Sequence, residues 1–323
     1  MNSRKLGIAI AVSAGLAVGM AGQAQADALA KSLINITNFI LTKGGTTPFD
    51  ITDFTQLSVL DRLTNSATLN SSSDFHFAQG TIPGGTVDAL QACVGTCTSP
   101  QNNFSKDFPP PTATFARSDS LIEGSPITGT PSPVGVHAGT IAETSIFNSN
   151  ATGGSDAEII FTATFQFVLA HDVAQADIEF NADTELLAWT GPGTLPGTSA
   201  GAGFKWELTL VDGVTGATLI DWVPDGNILT GTQTGLTVVS EDCSLVANAS
   251  ATFNQPSPPS QNCTNGVFAA FTNFALLANH PYSFTIDQHT STQATEKIPE
   301  PATLALLGLG LAAIGFARRE RRT

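Results

Sequence analysis

The groups in this 323-residue sequence that could do chemistry are four cysteines, five histidines and an excess of carboxylates. Cys93, Cys97, Cys243 and Cys263 are the only cysteines, and an even count in an oxidising compartment predicts disulfides. The local pairs Cys93–Cys97 and Cys243–Cys263 are expected, each closing a loop rich in Ser, Pro, Thr or Asn. A Cys₄ zinc site would need two closely spaced pairs, and only Cys93-Val94-Gly95-Thr96-Cys97 has that spacing. His76, His137, His171, His280 and His289 are scattered, none at helical metal-ligand spacing. No H-E-x-x-H helix, G-x-S-x-G elbow or P-loop occurs. Asp74 and His76 fall on one strand face, since residues i and i+2 point the same way, and read as a surface pair. His280-Pro281 reads as a turn entry. Asp183 and Glu185 are the carboxylate pair that could serve glycoside hydrolysis, but no Trp-rich cleft accompanies them. The sequence therefore predicts no enzyme, and it supplies no catalytic residue, metal ligand or cofactor fingerprint. Calcium is the one small-ligand candidate, with oxygens from Asn181-Ala182-Asp183-Thr184-Glu185 and from the Asp225-Gly226-Asn227 turn. Neither segment matches an EF-hand loop, and turn residues satisfying their own backbone account for the same pattern. Trp189 and Trp222 sit beside Gly/Pro turns, where exposed rings could stack on sugars. Trp206 is in phase with Phe204 and Leu208 and belongs to the core.

The elements that must position these groups are strands. Ile159, Phe161, Ala163, Phe165, Phe167 and Leu169 alternate with polar neighbours, as do Ala176, Ile178, Phe180 and Ala182. With His171-Asp172 between them, the two runs are expected to form a hairpin, the second with a wet acidic face. Phe204 to Leu210 gives a further half-buried strand, turned at Asp212-Gly213 and returning through Ala217 to Val223. Pro224-Asp225-Gly226-Asn227 is the next turn. Leu236 to Val239, Ser244 to Phe253, Gly266 to Leu277 and Tyr282 to Asp287 continue the pattern. Gly191 to Gly203 and Pro256 to Cys263 read as loops. Upstream, Thr112 to Ile122 and Leu69 to Phe77 read as strands. Phe49 to Leu63 mixes strand and helix periods, and Ala28 to Leu41 alternates poorly and opens at most as a short strand. Gly80 to Pro111 reads as a loop of about 30 residues, long for a compact domain. Strands spaced about ten residues apart, with antiparallel turn signals and no fixed internal repeat, predict an all-β, jelly-roll-like antiparallel sandwich.

Composition narrows the partners. The whole chain carries a net charge of −14, with charged residues at only 12%. Between residues 27 and 298 there are 7 basic and 25 acidic residues, a formal charge of about −18. Such a surface repels nucleic acid, and self-repulsion keeps it soluble. Phe supplies 20 of the aromatic residues and Tyr one, a composition of core filling between sheets.

The two ends carry targeting chemistry. Arg4 and Lys5, an apolar stretch from Leu6 to Met20, and Ala24-Gln25-Ala26 before Asp27 form a secretory signal peptide with its A-x-A cleavage site. At the other end Pro299-Glu300-Pro301 precedes an apolar run from Ala302 to Ala317 and the cluster Arg318-Arg319-Glu320-Arg321-Arg322. As a helix of about 16 residues the run covers roughly 24 Å, short of the ~30 Å hydrocarbon core unless the arginines reach the head groups. Arg318, Arg319, Arg321 and Arg322 hold that end in the cytoplasm, so the rest lies across the membrane. The prolines keep the tripeptide extended and outside the helix.

The Pro-Glu-Pro segment, short Leu/Gly/Ala helix and arginine cluster, in that order, resemble the PEP-CTERM sorting signal of Gram-negative bacteria. The resemblance implies a membrane-bound exosortase that reads the tail, cuts near the motif and releases or re-anchors the protein at the surface. It implies a role in display, adhesion or the extracellular polymer layer, and says nothing of the ectodomain's chemistry. The organisation expected is a signal peptide over 1–26, a sandwich ectodomain over 27–298 and the sorting signal over 299–323. The alternative function is a binding module for carbohydrate or calcium, with extracellular polysaccharide as a partner.

Overall fold

The computed structural model describes residues 27–81, 84–106, 112–128, 135–147, 149–167, 172–192, 194–228, 232–253, 255 and 260–297. The expected signal peptide, the Pro299–Pro301 motif, the apolar run and the arginine tail lie outside these residues, as does His171. Among the described residues no helix is long and apolar enough to cross a membrane.

Among the described residues sixteen strands follow in order: β1 (Asp27–Lys43), β2 (Thr47–Pro48), β3 (Phe54–Leu69), β4 (Ser72–Gly80), β5 (Thr86–Gly95), β6 (Phe115–Glu123), β7 (Val136–Phe147) and β8 (Thr152–Phe167). They continue as β9 (Ala176–Thr190), β10 (Ser199–Asp212), β11 (Thr218–Val223), β12 (Thr232–Thr234), β13 (Leu236–Glu241), β14 (Val246–Thr252), β15 (Ser260–Thr272) and β16 (Pro281–Thr295). A 3-10 turn, Ile51–Asp53, is capped by Asp50. One sheet runs β13-β15-β9-β1-β7-β6-β5, with β2 beside β1, and the other runs β12-β11-β10-β16-β8-β3-β4, with β14 beside β10. All pairings are antiparallel, and the two sheets form the expected sandwich.

Alternation identified most inward faces and misread several neighbours. The expected β8–β9 hairpin does not exist. β8 pairs with β3 and β16, whereas β9 pairs with β1 and β15 in the opposite sheet. The apolar faces of both strands line the same interior, β8 across from β6 and β7 and β9 across from β10 and β14, because a period of two fixes which face is buried and leaves the partner open. β1 is the 17-residue centre of its sheet and no short strand; it alternates poorly because Ala28 through Ile34 are buried on both faces. Phe49 to Leu63 resolves into the 3-10 turn and β3. A turn at Asn70, in the left-handed region at φ 54°, separates β3 from β4 and divides the strand expected over Leu69 to Phe77. The long loop from Gly80 holds a complete strand, β5. The loops expected at Gly191 to Gly203 and Pro256 to Cys263 end early, since β10 begins at Ser199 and β15 at Ser260. β7, with buried small and branched residues on both faces, gives no alternation and went unread.

The interior changes character along its length. Phe39, Phe180 and Phe268 from one sheet meet Trp206 and Trp222 from the other, with Phe180 and Phe268 stacked at 4.8 Å and the two indoles edge-on at 5.8 Å. Toward the opposite pole the rings give way to alanines and hydroxyls. Thr144, Ser155 and Thr292 hydrogen-bond to one another, and the Ser32 hydroxyl donates across the sandwich to the Gly203 carbonyl at 2.7 Å. A serine side chain spans the gap only where the sheets converge, and the Ser199-Ala-Gly-Ala-Gly203 start of β10 permits that approach. Both ends of the described chain emerge at this pole.

Candidate functional site

The outer face of the β1 sheet is covered. From the Cys93–Cys97 disulfide (Cα–Cα 6.3 Å), residues 97–106 run as a strap across the strands. Gln101 and the Asn102 side chain donate to Asp88 on β5. The Asn102 N–H donates to Asp119 on β6 at 2.5 Å. Phe104 lies over β7, where a Cβ on Gly139 would come within 2.8 Å of the ring. The Ser105 carbonyl accepts from Lys31 on β1 at 2.8 Å. Lys106 reaches Asp183 on β9 at 2.8 Å, and the Cys263 carbonyl and Thr264 hydroxyl on β15. The second disulfide, Cys243–Cys263 (Cα–Cα 6.0 Å), fixes that far anchor. Both expected cysteine pairings are present, and all four thiols are taken up.

Beneath the strap lies a charged layer. Arg117 pairs with Glu143, and Lys31 lies 2.7 Å from Glu185 and 3.8 Å from Glu143. These residues occupy four adjacent strands, β6, β7, β1 and β9, and Lys31 is 1% exposed. Asp119, fully buried beside them, has its carboxyl pushed up to about 6, chiefly by burial and against the Asn102 hydrogen bond.

The candidate ligand residues are committed within the fold. Burial opposes ionisation of Asp183, but hydrogen bonds from Lys106 and the Asn265 N–H outweigh it and hold the carboxyl below its usual range. Asn181 accepts from Asn38, and Glu185 faces Lys31. Asp183 and Glu185 do share a strand face, each aimed at its own lysine. Asp225 closes a turn onto the Asn227 N–H at 2.9 Å. Asp74 and His76 stand 3.3 Å apart on one face, as expected, and Asp74 also accepts the Cys93 N–H. His280 faces Asp212 at 2.9 Å. Asp212 also closes the Val214–Thr215 turn, and its carboxyl falls to about 2, led by the Thr215 N–H. The expectation that Trp222 lies on an exposed rim is wrong. It is 0% exposed, packed edge-on against Trp206, and its indole N–H donates to Glu241 at 2.6 Å. Trp206 is core, as expected, whereas Trp189 is half-buried rather than an exposed rim ring.

The open face of the other sheet carries a charge row that sequence reading did not single out. Asp156 faces His289 at 2.6 Å, with Glu158 and Asp287 on the same side. Burial first, then each other's charge, pushes the Glu158 carboxyl up. Only the strand register brings these residues together, so no local motif marks them.

The end of the fold is the remaining site. The Glu296 N–H donates to the Ala151 carbonyl at 2.9 Å, and the Lys297 N–H donates to the Thr198 hydroxyl at 3.1 Å. Pro299 is thus two residues beyond the last tie seen among the described residues. No curated protein and no solved structure matches the chain. Residues 297–322 match the PEP-CTERM protein-sorting motif, a bacterial signal for export and surface-directed sorting that implies exosortase processing, and the match begins at Lys297, the last of the described residues.

Proposed function

We propose that this protein is exported across the inner membrane of a Gram-negative bacterium, cut by an exosortase beside Pro299-Glu300-Pro301, and displayed at the surface or in the extracellular matrix, where its sandwich serves a non-catalytic structural or adhesive role. The observation that carries this reading is the motif match over residues 297–322, which begins at Lys297, a residue tied to the sandwich through Thr198. The non-catalytic role is supported by the carboxylates: Asp183, Glu185 and Asp212 each answer a cation or a turn of this chain. The strap and its two disulfide anchors suit a domain that persists in an oxidising exterior.

The test is replacement of Pro299-Glu300-Pro301 by Ala-Ala-Ala in the native host, followed by fractionation. The variant is expected to stay in the inner membrane with its arginine tail intact. Delivery to the surface at the normal level would overturn the proposal.

A further inference from the structure

The pole from which the sorting signal leaves also holds the start of β1. Ala28 and Ala294 pack in one cluster with Ile146 and Ala151, which brings Asp27 and Glu296 to the same end of the sandwich. Thr292, Ala294 and Glu296 alternate toward the interior, so the Glu296 side chain continues the inward face of β16. That side chain is fully buried, and among the described residues neither carboxylate oxygen has a hydrogen-bond partner. Among the described residues no cation lies within ion-pair distance of it. A carboxylate in that position is costly unless it is paired. Burial first, and then the negative charge of Asp27, pushes its carboxyl up to about 8. The other titratable groups at the pole are the Asp27 carboxyl itself and Lys297, whose stem lies over Gly197. The Asp27 carbonyl accepts the Gly191 N–H at 2.8 Å, which fixes that residue at the strand end.

We infer that signal-peptide removal supplies the missing cation: the new α-ammonium of Asp27 becomes the counter-ion of Glu296 and locks the pole from which the sorting signal emerges. This rests on the reading that export cuts between Ala26 and Asp27. Hydrolysis of that peptide bond by water yields the Ala26 carboxylate and the Asp27 amine, which is protonated at neutral pH. The first cut then stiffens the platform on which the second is made.

The experiment uses the exported full chain from its host. Its N-terminal mass comes first, and a chain that begins elsewhere than Asp27 overturns the cleavage reading, and the inference with it. With Asp27 first, the protein is treated with an amine-acylating reagent at neutral pH, and modification of the Asp27 amine is followed by peptide mass. In the folded protein this amine is expected to react at least about tenfold more slowly than in the same chain unfolded in urea, a shift of about one pKa unit or more. In Glu296→Gln that protection is lost. The Tm of the mature protein falls in Glu296→Gln, because an ion-paired acid has been removed. Equal rates in the folded and unfolded wild type would overturn the inference without needing the variant to fold. So would a rise in Tm on Glu296→Gln, which marks an unpaired buried acid.

Discussion

Replacing Lys31 with Met is expected to destabilise the domain by about 3–5 kcal/mol at neutral pH, the cost of stranding a buried charge. The Lys31 side chain is 2% exposed and faces Glu185 at 2.7 Å, with Glu143 behind it at 3.8 Å. Glu143 keeps Arg117 in the variant, so the loss falls on Glu185 and on the Ser105 carbonyl of the strap. The double variant Lys31→Met/Glu185→Gln is expected to recover most of the loss, since a buried pair replaced by neutral groups of similar size is often close to neutral. Urea unfolding of the wild type, both single variants and the double variant gives the coupling directly. A loss under about 1 kcal/mol in the single variant, or no recovery in the double, would mean that water reaches this layer and the strap does not seal it.

The second large effect has the opposite sign. Asp61 points between the sheets from β3, is 2% exposed, and leaves Oδ1 without a hydrogen bond. Burial alone pushes its carboxyl up to about 7. The folded state therefore holds this proton more tightly than the unfolded chain, whose value is about 3.9. The contribution of Asp61 is fully present below about pH 4 and lost as pH rises through 7. Asp61→Asn should stabilise the protein by roughly 2–4 kcal/mol at pH 8 and change little at pH 4. Thermal unfolding at the two pH values checks this, with a rise of roughly 5–10 °C expected only at the higher one. An equal effect at both, or a loss at pH 8, would show that Asp61 is ionised and satisfied in the fold.

What the sequence revealed divides by the range of the physics involved. The sorting tail was readable because its parts are contiguous: two prolines, one apolar run and one arginine cluster act within themselves. The Phe204–Leu210 strand and the Asp212-Gly213 hairpin were readable for the same reason. The short disulfide separations, 4 and 20 residues, made local pairing a sound expectation. The failures are of long range. Nothing near Ser105 announces Lys31, 74 residues away, and nothing near Lys106 announces Thr264, 158 residues away, so a strap looked like a loop. Its presence in turn erased the alternation of β1, whose second face is buried with it. The β8–β9 error came from sequence adjacency and the His171-Asp172 turn signal, which suit a crossover between sheets as well as a hairpin. Trp222 misled because a neighbouring turn at Pro224 says where the chain bends and not which way the indole points. Glu241, its buried hydrogen-bond partner, is on another strand.

The central proposal is that the chain is cut beside the sorting motif, whose match begins at Lys297. Intact mass and fractionation of the native protein from its own host test this most directly. The account predicts a surface or medium fraction whose mass places the C-terminus close to Pro299, just beyond the Lys297 anchor. A mass that retains Arg318 to Arg322, found in the inner-membrane fraction, would make the chain an ordinary tail-anchored protein and contradict it.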